Sequence, residues 1–122
     1  AEIGTASAMA AGALVALHGG SGKAIVHAAA MAIKNLLGLV CDPVAGLVEV
    51  PCVKRNVVGA MNALSSADMA LAGIESRIPP DQVIDAMKEV GDQMNSSLKE
   101  TGLGGLAGTP FGKEVAENFL GK

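Results

Sequence analysis

The sequence predicts an all-α fold, a bundle of about five helices with a long cysteine-bearing loop between the second and third. Apolar residues recur at spacings of three and four through most of the chain, which is the helical period. No alternating stretch survives, because the run Leu47 to Val50 is short and is closed by Pro51. The 122 residues include two phenylalanines and no tryptophan or tyrosine. A core without aromatics must be filled by Ala, Val, Leu, Ile and Met, which favours closely approaching helices over a sandwich.

The first helix is already under way near residue 1, and Gly4, Ala8, Gly12 and Ala16 give it one face of small residues. Such a face lets another helix backbone come close. The run His18-Gly19-Gly20-Ser21-Gly22 ends it, with Ser21 placed to cap a second helix from about Lys23 to Leu37. Ile25, Ala29, Ala32 or Ile33, and Leu36 form the apolar stripe of that helix, and Gly38 stops it. The loop then runs to Lys54. A third helix is expected from Asn56 to Ile74 with Val57, Ala60, Leu64, Ala67, Leu71 and Ile74 on its packed face. Ile78-Pro79-Pro80-Asp81 marks a break and a restart. The fourth helix carries Val83, Met87, Val90, Met94 and Leu98 on one side. A glycine-rich loop, Glu100 to Thr109, follows, and Thr109-Pro110 opens a last helix ending near Leu120.

The length fits one domain. With 50% apolar and 17% charged residues, much of the surface is expected to meet another subunit or a further segment. The chain begins without methionine inside an apolar pattern, which predicts a piece of something longer. A net charge of −3 without a basic block excludes electrostatic nucleic-acid binding. Ile3 to Gly22 carries no charged side chain, but its Ala and Gly content, its polar Thr5, Ser7, His18 and Ser21 and its lack of a basic leading region argue against a membrane span or signal peptide. Two cysteines without a disulfide framework fit a reducing, cytoplasmic location.

Both cysteines, Cys41 and Cys52, lie in Leu39 to Lys54 with Pro43 and Pro51 beside them. Spacing alone leaves three readings open: buried structural thiols, a disulfide, or soft ligands for iron or zinc. His18 and His27 do not extend the pair to a known zinc-finger spacing.

Cys41-Asp42-Pro43-Val44, Val50-Pro51-Cys52, Lys54-Arg55-Asn56, Lys99-Glu100-Thr101 and Gly104-Gly105-Leu106-Ala107 together resemble the iron–sulfur-dependent L-serine dehydratases. The match runs over essentially the whole chain and corresponds to the C-terminal part of the alpha, catalytic, region. The resemblance implies conversion of L-serine to pyruvate and ammonia, in amino-acid degradation and gluconeogenesis, on a 4Fe-4S cluster held by three cysteines. The open iron would act as a Lewis acid on the serine hydroxyl. Cys41 and Cys52 would be two of the ligands. The third belongs to a Cys-Gln-Ala-Glu motif of which Ala1-Glu2 would be the end, placing that ligand just before Ala1. Residues 1–122 alone are therefore expected to be inactive and to hold no stable cluster.

Further partners implied are the N-terminal remainder of the subunit and a beta subunit or domain, in an oligomer. Arg55, with Lys54 and Asn56, is the expected substrate-binding group, Asn56 having a helix cap as its other reading. Glu100 is expected to be a base or the carboxylate that orients Arg55. Asp42 is expected to brace the loop through backbone amides. A related cluster-dependent lyase of cysteine desulfidase type and a non-catalytic helical interaction module are the rival readings.

Overall fold

A computed structural model describes residues 2–121. Five α-helices are present: α1 (Glu2–Leu17), α2 (Gly22–Asn35), α3 (Cys52–Leu71), α4 (Pro80–Gln93) and α5 (Pro110–Leu120). Three short 3-10 turns, Val44–Gly46, Ser96–Leu98 and Gly105–Gly108, lie between them. The all-α expectation holds: among the described residues the extended pairing is a single parallel bridge between Cys41 and Lys99. No helix among them is long and apolar enough to cross a membrane. The chain divides into two compact units, Ala1–Leu39 with Val57–Asp92, and Val40–Asn56 with Gln93–Lys122.

In the first unit α1 packs on α2. Ser21 caps α2 as its sequence predicts, accepting from the Ala24 N–H at 3.1 Å. The small-residue face of α1 is used as expected, with Gly4, Ala8 and Gly12 buried and Ala16 left exposed. Its purpose is close approach. A Cβ on Gly12 would meet Ile25 Cγ2 at 3.3 Å, and one on Gly59 of α3 would meet Ile3 Cγ2 at 2.9 Å. The core is correspondingly small in grain: alanines around Val15, Met31, Ile33 and Val83. One polar node joins three helices. Ser7 Oγ donates to the Gly59 carbonyl at 2.7 Å, and Asn62 Nδ2 donates to Ser7 Oγ at 2.8 Å and to the Ala32 carbonyl at 3.0 Å.

Of the expected packed face of α3 only Ala67 is buried, and the rest of it is turned outward. Gly59, Ala63, Ser66, Ala67 and Ala70 are buried, whereas Val57 is 61% exposed and Leu64 44% exposed. Close helix contact selects small side chains and turns the large ones outward. The boundaries also differ. α3 begins at Cys52 rather than Asn56, and α4 ends at Gln93, so that Leu98 sits in a separate 3-10 turn.

The second unit joins α5 and the first residues of α3 to three 3-10 turns and the loops between them. α5 packs on the turns Val44–Gly46 and Gly105–Gly108. It starts where Thr109-Pro110 predicts, with the Thr109 hydroxyl accepting from the Gly112 N–H at 3.1 Å and the proline in the first turn. Gly112 must be glycine: a Cβ there would stand 2.6 Å from the Leu106 carbonyl oxygen. Among the described residues of this unit, Asp42, Pro43, Val44, Ala107 and Gly112 are buried.

A candidate thiol site braced by a buried ion pair

Cys41 and Cys52 lie in the same unit, both partly buried, and neither is in a disulfide. The disulfide reading is thereby not the one this structure adopts. Cys52 occupies the first turn of α3, straight after the cis Val50–Pro51 peptide, and not a loop as its flanking prolines suggest. The backbone of Cys41 is fixed from both sides. Its N–H donates to the Leu98 carbonyl and its carbonyl accepts from the Glu100 N–H, each at 2.9 Å.

Asp42, next to Cys41, is 2% exposed. Its two oxygens have different partners: Oδ1 accepts from Arg55 Nη1 at 2.6 Å, and Oδ2 accepts from the Leu106 N–H at 2.6 Å. Burial pushes this carboxyl up, but the Leu106 amide, the Arg55 hydrogen bond and the guanidinium charge outweigh it and hold the group below its ordinary value. The bracing role expected of Asp42 is what the structure contains. A carboxylate so held is a weak base.

Arg55 Nη1 also donates to the Val40 carbonyl at 3.0 Å. One guanidinium nitrogen therefore grips the chain on both sides of Cys41. Both contacts use Nη1, so the planar fork keeps donors on Nε and Nη2. The carboxylate that orients Arg55 is Asp42, and not Glu100, for which this was one of two expected roles. Glu100 is exposed and has a left-handed backbone, φ 68°, uncommon for a residue with a side chain. Lys54 and Asn56 are exposed. Asn56 lies a full turn inside α3, so it is not a helix cap.

The glycine loop is shaped around Asp42. Gly105 has φ 59°, and a Cβ there would collide with the Asp42 carboxylate. A Cβ on Gly104 would stand 2.9 Å from the Ser97 carbonyl oxygen. The two histidines are engaged elsewhere. His18 Nδ1 lies 2.8 Å from the Leu14 carbonyl, and His27 Nδ1 accepts from the Ser76 N–H at 3.0 Å in the first unit.

The donor set fits an iron–sulfur centre in kind and is short in number. Two thiols are the most this sequence offers. Among the described residues no three His, Cys, Asp or Glu side chains form a group able to hold a metal ion.

The second unit is thus a helical-and-loop module that carries both thiols and folds a glycine loop about a buried aspartate. The pattern of the serine dehydratase alpha chain family matches residues 1–107, and the chain belongs to that family. It is 62% identical over 122 residues to a probable L-serine dehydratase alpha chain of Latilactobacillus sakei, covering all of this chain and 58% of that protein. It is 60% identical over 121 residues to the probable alpha chain of Bacillus subtilis, covering 99% of this chain and 40% of the relative. To the L-serine dehydratase of Mycobacterium tuberculosis it is 47% identical over 107 residues, 87% of this chain and 23% of that one. The chain therefore spans well under two thirds of the length of these relatives.

Proposed function

We propose that this chain contributes two thiolate ligands, Cys41 and Cys52, to a 4Fe-4S centre in an L-serine dehydratase, and that the whole enzyme converts L-serine to pyruvate and ammonia. The observation that supports this best is the pair of unbridged thiols gathered in one unit with the Asp42–Arg55 ion pair. A third thiolate has to come from outside this sequence. When bound, a cluster with one iron lacking a cysteine ligand supplies a Lewis acid for the departing hydroxyl.

The overall change is balanced without an oxidant. Serine loses its α-proton and hydroxyl as water to give 2-aminoacrylate, which tautomerises to an imine and takes up water to release ammonia and pyruvate. Of this chain's residues, Arg55 holds the substrate carboxylate with its Nε and Nη2 edge, the geometry in which a guanidinium binds carboxylates best. Asp42 keeps that edge oriented. Consecutive helical residues point about 100° apart, so Lys54 and Asn56 flank Arg55 rather than sharing its direction. Glu100, tied through its backbone to Cys41, is the group assigned to take the α-proton. The reading includes the rest of the alpha chain, a beta chain or domain and an oligomer as partners, in the cytoplasm where thiols stay reduced. Residues 1–122 alone are expected to be inactive, since two thiolates do not secure such a cluster.

Anaerobic reconstitution of the full-length alpha chain with its beta partner tests this. Pyruvate from serine, without sulfide from cysteine, is the expected result. Absence of bound iron, or sulfide release from cysteine in place of pyruvate from serine, would refute it.

A further inference from the structure

We propose that Asp42 and Arg55 form a positioning pair that fixes the Cys41 segment against the start of α3, and so sets the placement of the two thiols. Its purpose rests on the iron–sulfur reading above, but its geometry does not. Arg55 follows Cys52 by three residues, so the two share a face of α3. Its Nη1 donates to Val40 and to Asp42, the residues immediately before and after Cys41. The arginine on the helix of one thiol therefore holds the segment of the other at two points.

Asp42 extends the tie to a third segment through the Leu106 N–H. Gly105 shows that the loop is fitted to this carboxylate, because its left-handed backbone and missing Cβ leave the space that the carboxylate fills. Stability alone is a poor reason for such a pair. Taking two charges out of water costs as much as their attraction returns, and an apolar pair of similar size commonly serves stability as well. What an apolar pair lacks is direction. Three hydrogen bonds of fixed geometry at one carboxylate and one guanidinium specify where each segment lies.

The test uses the full-length alpha chain with its beta partner, comparing wild type with Asp42→Asn, Arg55→Gln, Arg55→Lys and Gly105→Ala. In the metal-free protein, alkylation by iodoacetamide is timed at each thiol by mass spectrometry. Asp42→Asn and Arg55→Gln should speed alkylation of Cys41 about tenfold relative to Cys52 by local opening, with unchanged helical circular dichroism. Arg55→Lys should recover part of the protection, and Gly105→Ala should reproduce Asp42→Asn without touching either charge. In the iron-loaded protein the same variants should alter the electron paramagnetic resonance line shape of the reduced cluster and hasten iron loss.

Wild-type alkylation ratios in Asp42→Asn, Arg55→Gln and Gly105→Ala would overturn the proposal. So would equal acceleration at both thiols accompanied by loss of helix, which marks general unfolding. If wild type binds iron and the variants match it in line shape and retention, the positioning role fails while the cluster reading stands. If wild type binds no iron but the variants still expose Cys41 selectively, the cluster reading fails and the positioning pair stands.

Discussion

Ser7 and Ser66 are both buried serines of the first unit, at 3% and 0% exposure, yet truncating them to alanine should have opposite effects. Ser7 Oγ bonds both the Gly59 carbonyl and Asn62, so Ser7→Ala removes two hydrogen bonds from a buried node. The expected loss is about 1–3 kcal/mol in urea unfolding. Ser66 Oγ is buried with no hydrogen-bond partner. Ser66→Ala removes that unmet group and should leave stability unchanged or raise it. Glu75 gives the pH dependence. The hydrogen bond and charge of Lys23 hold its carboxyl below the ordinary 4.5. A depressed carboxylate adds stability above its unfolded value and loses it as pH falls through the folded value. The small gap in melting temperature between wild type and Glu75→Gln should therefore be present at neutral pH and close on acidification below 4.5. Both side chains are more than half exposed, so salt should shrink the gap as well.

α3 marks where a sequence reading of elements succeeds and where it fails. The helix itself is plain from its period, and so are the caps of α2 and α5, because Ser21 and Thr109-Pro110 act on their nearest neighbours. The buried face of α3 is not legible. Its large residues Val57, Leu64 and Leu71 suggest a stripe, but the side that packs is Gly59, Ala63, Ser66, Ala67 and Ala70. Which face wins depends on how near the next backbone comes, and that is a property of α1, not of α3. Gly59→Leu tests this point. Its side chain would have to displace Ile3, whose Cγ2 already lies 2.9 Å from a Cβ at that position. Overpacking of this kind should cost about 1–3 kcal/mol, read from the midpoint of urea unfolding. Val57→Ala, on the exposed face, should change the isolated chain by no more than about 0.5 kcal/mol.

At the scale of the whole molecule, the family and its two thiols are legible because they reside in short contiguous motifs such as Cys41-Asp42-Pro43-Val44. The site's internal wiring is not. Asp42 and Arg55 are thirteen residues apart, and Leu106 lies 64 residues beyond Asp42, so nothing in any one motif pairs them. Asp42 and Glu100 both sit in recognisable motifs, and only the fold shows that Asp42 is the buried one and the partner of Arg55. Val57, Val58, Met61 and Leu103 are large apolar residues left exposed, and the chain spans 58% and 40% of the Latilactobacillus sakei and Bacillus subtilis relatives. The claim on which the functional reading depends is that Cys41 and Cys52 both ligate iron. The direct measurement is iron content and serine turnover of the full-length enzyme, reconstituted without oxygen, as wild type, Cys41→Ala and Cys52→Ala. Loss of the bound cluster and of pyruvate formation in both variants is the expected result. Full iron content and undiminished turnover in either would contradict it.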